Sequence, residues 1–370
     1  MISARAKELP GGKAVSTDIR RGLPSASSAV RYALCPGSFL LEKRMPYDLP
    51  SEAAASGTRI HEAISGKVPI ELDDNEREIY DRCVAQEVEV RRTAGFNAPD
   101  HTFREERMWM SDENGTPLWS GEPDALFITG TSGLVLDYKT GRGDVWEASV
   151  NLQLRALVVL AVENYSLTEI TVAIIQPLAG KPTIARYTFS DLLAAVAEVS
   201  EDMARIKEPN QPRTPSEDAC KYCRAKAICP EAQQAVAVIG STKESAIIDP
   251  QELGRFLELA RVALKVIEAR KDQAKAFIEA GGIITGWVLK PGATVEKITK
   301  PEVVWERCER LGMTSEGFMS SVKITKGALK TAIGAVTMEK GKGLAATVDS
   351  ILEGCTEETQ NAPSLVKEDK

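Results

Sequence analysis

No apolar run in the 370-residue chain approaches the roughly 20 residues needed to cross a bilayer, so a membrane-spanning protein is not expected. The first residues, MISARAKELPGGKAVS, have no apolar stretch behind their charges and do not read as a secretory signal, which makes the cytoplasm the expected compartment. A reducing compartment disfavours structural disulfides, so the seven cysteines are read first for metal. An excess of positive charge is missing as well. Lys and Arg number 46 against 53 Asp and Glu, a net charge of −7. That argues against a protein coated in basic surface but leaves room for a local positive groove. Modest basic excesses occur in the first 21 residues and in 261–300, where solvated helix faces explain them equally well. Histidine is scarce, with only His61 and His101, and no internal repeat is present.

Periodicity and turn residues divide what is there. Residues 1–24, rich in Gly, Pro and charge, read as a flexible leader. Helices are expected at 25–34, 52–65 and 75–94. The texture then changes to short apolar or alternating runs at 103–110, 117–129 and 134–139, broken by Asn-Gly, Gly-Thr and Ser-Gly, as in a strand meander. A helix with one apolar face is expected at 146–164, strands at 170–176 and 183–188, and a helix at 190–206. This order predicts an α/β fold with a small mixed sheet flanked by helices over 25–234. Residues 235–249 read as a linker, 250–355 as a mainly α-helical C-terminal region and 356–370 as a disordered tail. Within that region a long helix covers 250–280, packing through Leu257, Leu264 and Ile267. A strand at 286–290 and a helix at 301–311 follow. Lys265, Arg270, Lys271, Lys275, Lys290, Lys297 and Lys300 suit either phosphate tracking or a solvated face.

The most informative stretch is Gly121-Glu-Pro-Asp124 followed by Leu136-Asp137-Tyr-Lys139-Thr-Gly141. The two halves fall on strands joined by a turn at Gly130–Gly133, so Asp124 and Asp137 can be brought side by side to chelate Mg²⁺ or Mn²⁺, hard ions that prefer oxygen. Asp137 and Lys139 are two residues apart and share a strand face. A lysine beside a metal-bound water orients it, favours hydroxide or stabilises charge on phosphate. An exposed Asp-x-Lys pair is commonplace, but Asp137 closes an apolar strand, a poor place for a bland surface role. His61 lies on a helix in Gly57-Thr-Arg-Ile-His61, where a lone histidine also serves as a packing residue. Gln153 opens the helix after the Lys139 strand, in reach of a water or phosphate.

Cys220-x₂-Cys223-x₅-Cys229 is a compact ligand triplet, for which Cys35 is the natural fourth member. Cys83, Cys308 and Cys355 read as ordinary small residues.

Gly-Thr-x-x-His, Gly-x-x-Asp, Asp-x-Lys-Thr-Gly and Gln-Leu-x-x-Leu occur here in the order seen in RecB-like and AddB-like nucleases of the PD-(D/E)XK superfamily, which residues 25–232 resemble. The resemblance implies a restriction-endonuclease-like core with His61, Asp124 and Asp137 binding the metal, Lys139 acting on the attacking water and Gln153 supporting the site. It also implies a glutamate before Gly-x-x-Asp, Glu105 or Glu106. One departure is visible: Leu157 stands where these nucleases carry a tyrosine four residues after the glutamine. Similar nucleases, a CRISPR-adaptation exonuclease group among them, carry one cysteine before the catalytic motifs and three after. This implies that Cys35, Cys220, Cys223 and Cys229 hold a structural [4Fe–4S] cluster, with Zn²⁺ the alternative. Phage-type members resemble the C-terminal third too. The implied function is a metal-dependent DNA nuclease, an exonuclease resecting ends for recombination or repair in a phage or prophage setting, alongside a single-strand annealing or recombination partner. The competing reading is a non-catalytic DNA-end-binding scaffold.

Overall fold

The computed structural model describes residues 20, 22–45, 52–242, 249–289, 301–310 and 341–352, with a few isolated positions between 314 and 337. The expected leader up to residue 19, the tail, Cys355, Lys290, Lys297 and Lys300 lie outside the described residues. The chain divides into two compact units, 1–289 and 290–370.

In the first unit a 3-10 turn, Ala26–Ser28, runs into α1 (Ala29–Leu34), followed by α2 (Ser38–Glu42), α3 (Glu52–Ser65) and α4 (Asp74–Ala94). Asp73 and Glu76 close a reciprocal capping box on α4, and Gly95, at φ 84°, ends it in a left-handed turn that a side chain would strain. Then come β1 (His101–Arg104), β2 (Met108–Ser111), β3 (Pro117–Gly121), β4 (Ala125–Thr129) and β5 (Ser132–Tyr138). α5 (Leu152–Tyr165) leads to β6 (Glu169–Ile175), β7 (Thr183–Tyr187) and α6 (Phe189–Arg205). α7 (Glu217–Lys221), α8 (Pro230–Ser241) and α9 (Pro250–Glu279) complete the unit.

The main sheet has the order β1-β4-β5-β6-β7 and is mixed: β5 and β6 are parallel, and every other pair is antiparallel. The fold is thus mixed α/β, a small mixed sheet flanked by helices, as the element order predicted. α5 is the crossover that a parallel pair requires. Strand alternation sends Leu126, Ile128, Val135, Val172 and Ile174 to one face, against α5 and α6. Phe127, Leu134, Leu136, Ala173 and Ile175 go to the other, against Ile60 and Ile64 of α3 and Cys83 and Val90 of α4. Each fully buried Leu or Ile contributes roughly 1.5–3 kcal/mol of apolar transfer. α5 is buried nearly all round, from Leu154 to Ala161, rather than along the single face expected.

The remaining differences have local causes. The expected 103–110 strand is two strands in two sheets, because Glu105 takes φ 46° and turns the chain between them. The 117–129 run is likewise split at Glu122–Asp124 between the two-stranded β2-β3 sheet and the main one. α5 begins at Leu152, not Trp146, because Asn151 caps it: Asn151 Oδ1 accepts from Leu154 N–H at 3.0 Å. α8 reaches Ser241, into the stretch expected as linker. α9 buries Val262, Ala263, Val266 and Ala269, whereas Leu257, Leu264 and Ile267, the expected packing residues, are exposed. No strand forms at 286–289; only an isolated bridge joins Ile284 to Trp287. In the second unit the described elements are the helices α10 (Pro301–Arg310) and α11 (Gly341–Ile351).

Candidate active site and cysteine cluster

The last pair of the β4–β5 ladder is Ala125–Leu136, so Asp124 and Asp137 stand one step beyond it, where the strands stop pairing. Tyr138 N–H, left without a strand partner on that side, donates to Asp124 Oδ2 at 2.5 Å. The other Asp124 oxygen lies 3.0 Å from His61 Nδ1, which α3 brings over the strand end from one face of the sheet. α3 can come this close because of Gly57, where even a methyl group would stand 3.2 Å from Thr140 Oγ1. From the opposite face the N-terminus of α5 delivers Gln153. Its Nε2 donates to Asp137 Oδ1 at 2.7 Å, and its Oε1 accepts from Lys139 Nζ at 3.2 Å. Lys139 also pairs with Asp137 Oδ2 at 2.6 Å. That oxygen is buried and makes no hydrogen bond beyond this ion pair. His61, Asp124, Asp137, Lys139 and Gln153 therefore converge at the carboxyl end of β5, the end of parallel strands where open α/β sheets hold ligands. His101, on the outer strand β1, stacks beside Phe103 instead.

The electrostatics follow from burial. Asp137 is 4% exposed, and burial pushes its carboxyl above the usual carboxylate range, with Lys139 opposing and Asp124 adding to the rise. Burial alone would lower His61 and Lys139. The charge of Asp124 outweighs it for His61, and that of Asp137 for Lys139, so both are raised. Lys139 is accordingly an ammonium at neutral pH.

Of the two candidate glutamates, Glu105 belongs to this neighbourhood and Glu106 is exposed elsewhere. Glu105 N–H donates to the Asp124 carbonyl at 3.2 Å, and its own carbonyl accepts from Lys67 Nζ at 2.6 Å. Burial raises its carboxyl, and the charges of Asp124 and His61 reach it. Sequence reasoning missed the support behind the site. Buried Glu87 of α4 accepts from the Tyr138 hydroxyl and pairs with Arg104 at 2.6 Å. A glutamate among helix-surface residues carries no local sign of such a partner. Leu157 is fully buried beneath Gly121, where an added Cβ would stand 2.8 Å from it, so this position is core.

Cys35, Cys220, Cys223 and Cys229 are all buried free thiols. Cys35 caps the end of α1, Cys220 lies on α7 and Cys229 is the N-cap of α8. The 211–214 segment ties the two regions together. Gly37 N–H donates to the Pro212 carbonyl at 3.0 Å, and Thr214 N–H to Cys35 Sγ at 3.3 Å. A Cβ at Gly37 would stand 2.3 Å from the Gln211 carbonyl oxygen, so only glycine fits. The charges of Cys35 and Cys229 both reach Cys220, and that of Cys220 reaches Cys223. Burial pushes Cys220 up to about 11 and Cys223 to about 12, and raises Cys35 and Cys229. Cys83 is buried apart from them, beside α4's partners in the core.

Among the described residues no three His, Cys, Asp or Glu side chains already stand as a ligand set around one point. The donor chemistry nevertheless fits. Two carboxylates and an imidazole, with one buried Asp137 oxygen lacking a hydrogen bond, suit a hard divalent cation. Buried thiols, unfavourable as isolated thiolates, suit the thiolate chemistry of an iron–sulfur cluster or zinc, whose charge would hold them deprotonated.

The family described as "Protein of unknown function (DUF2800)" matches residues 102–370. The chain belongs to this family. The match takes in Asp124, Asp137, Lys139, Gln153, Cys220, Cys223 and Cys229, while His61 and Cys35 precede it. No curated relative matches the chain. A solved structure described as "Crystal structure of SSO0001" is similar at 18% identity and a TM-score of 0.29, over 58% of this chain and 89% of that one.

Proposed function

We propose that the chain is a metal-dependent DNA nuclease with a PD-(D/E)XK core, acting as an exonuclease on DNA ends. The observation that carries this reading is the convergence of His61 on α3, Asp124 at the start of β4, Asp137 and Lys139 at the end of β5 and Gln153 on α5, four separate elements, on one strand end. Mg²⁺ or Mn²⁺ would be held by Asp124, Asp137 and His61, and when bound supplies Lewis acidity and a water of lowered pKa. The chain's own residues do the rest. Lys139, kept protonated by Asp137, places a positive charge beside the reacting phosphate and stabilises the charge that builds there. Gln153 holds Asp137 and Lys139 in register through one donated and one accepted hydrogen bond. The Tyr138 amide and His61 fix both oxygens of Asp124.

At the cysteines the cluster, or zinc in its place, would fasten α1 to the 220–229 segment and so hold together residues nearly 200 positions apart. An annealing or recombination partner and a phage setting follow from the resemblance alone.

The test is cleavage of end-labelled linear DNA by anaerobically purified protein with Mg²⁺ or Mn²⁺, wild type beside Asp137→Ala. Degradation by wild type alone is the expected result. If folded, metal-loaded protein cuts no single- or double-stranded DNA, linear or circular, the DNA-end-binding scaffold replaces this reading.

A further inference from the structure

Behind the carboxylate site a single buried side chain holds two strands at once. Glu87, 4% exposed, stands on α4, on the face of the sheet that α3 also covers. Its Oε1 lies 2.6 Å from Arg104 Nη2 and 3.6 Å from Arg91 Nη1. Its Oε2 accepts from the Tyr138 hydroxyl. Arg104 Nη1 donates to that same hydroxyl oxygen at 3.4 Å, which closes a ring of three side chains. Tyr138 is the last residue of β5 and Arg104 the last of β1, the two strands that flank β4.

Both strand ends hold Asp124, the residue just before β4. Tyr138 N–H donates to Asp124 Oδ2, and the N–H of Glu105, one residue past Arg104, donates to the Asp124 carbonyl. The Tyr138 ring also meets His61 edge to face, with centroids 6.0 Å apart and planes at 84°. The carboxylate and backbone of Asp124, and the imidazole paired with it, therefore rest on strand ends whose side chains terminate on Glu87.

Stability alone is a weak reason to bury such a group. The attraction between a buried carboxylate and its cations repays their desolvation only in part, and well-packed apolar residues often do as well. What the arrangement adds is position. Charge-assisted hydrogen bonds have narrow geometry, so Tyr138 and Arg104 are left one place to sit. A metal site depends on such support, because ligands that are not held in place bind weakly.

Resting on the nuclease reading above, we infer that Glu87 is a positioning residue of the metal site. Through the Tyr138 hydroxyl and Arg104 it fixes where Asp124 and His61 stand, while touching neither cation nor phosphate itself.

The test is Mn²⁺ binding by the full chain without DNA, read by electron paramagnetic resonance of the free ion. Asp124→Asn marks the part of the binding that belongs to this site. Tyr138→Phe removes one hydroxyl, keeps the ring against His61 and leaves Glu87 paired with Arg104. Glu87→Gln keeps an acceptor and removes the charge. Circular dichroism verifies folding, and binding is measured well below each Tm; if Glu87→Gln does not fold, Tyr138→Phe decides alone. Each variant should weaken Mn²⁺ binding roughly tenfold. The double variant should bind about as well as the weaker single one, because residues that act as a unit are not additive. Tyr138→Phe that lowers Tm but binds Mn²⁺ within twofold of wild type makes Glu87 a structural ion pair and overturns the inference. Wild-type cleavage of DNA beside that result leaves the nuclease reading standing. Glu87-dependent Mn²⁺ binding in a protein that cuts no DNA does the reverse. Wild type without any Asp124-dependent Mn²⁺ binding removes both.

Discussion

Gln153 offers the sharpest link between fold and chemistry, and Gln153→Leu is the perturbation that isolates it. Asp137 Oδ1 takes its hydrogen bond from Gln153 Nε2 at 2.7 Å, and Asp137 is 4% exposed, so little water is available to replace the lost donor. Stranding a buried charged acceptor costs about 1.5–3 kcal/mol. Lys139, with a side chain 30% exposed, recovers its lost acceptor from solvent at little cost. The net expectation is a loss of about 2 kcal/mol, which in a unit of this size lowers Tm by roughly 4–8 °C. The same substitution acts on titration. Removing a donor to the ionised carboxylate disfavours that form, so Asp137 is raised further and the acid limb of a pH–rate profile moves to higher pH. Urea unfolding and cleavage rates from pH 5 to 9 measure the two effects. Gln153→Leu with wild-type stability and an unshifted acid limb would refute the coupling of Gln153 to Asp137.

Three further outcomes are expected. The Arg59 guanidinium holds the Glu76 carboxyl at about 2, below its usual 4.5. Because the folded-state value is the depressed one, its stabilisation is present above about 4.5 and is lost as pH falls towards about 2. Glu76→Gln should flatten the acid limb of unfolding over that window, as followed by circular dichroism. Gly37→Ala would drive a Cβ to 2.3 Å from one backbone oxygen and 2.9 Å from another, neither of which yields easily, and should cost about 1–3 kcal/mol or more in urea unfolding. Cys223→Ser should abolish bound metal, assayed by elemental analysis and visible absorbance, and destabilise the first unit, whereas Cys83→Ser should retain the metal.

The parts of the fold governed by local chemistry were legible in the sequence. The ends of α3 and α4, the β4–β5 hairpin around Gly130 and the shared face of Asp137 and Lys139 follow from caps, turn residues and strand alternation. Features set by distant partners were not. The break at Glu105 has no glycine to announce it, and the burial of Glu42 and Glu87 depends on arginines and a tyrosine on other elements. The face that α9 buries could not be chosen from its periodicity, since Leu257, Leu264 and Ile267 form as good a stripe as Val262, Val266 and Ala269. The candidate site was readable because its members carry chemistry at fixed spacings. The contact between Arg31 and the Tyr222 carbonyl, 191 positions apart, was not legible because only the folded chain brings the two to the same place.

Single-turnover cleavage of end-labelled DNA by Asp124→Asn, Asp137→Asn and Lys139→Met beside wild type tests the central claim most directly. Wild type should cut only with Mg²⁺ or Mn²⁺. Each variant should fold and lose at least a hundredfold in rate. Variants that cut at the wild-type rate, or cleavage that persists in EDTA, would contradict a metal site at the end of β5.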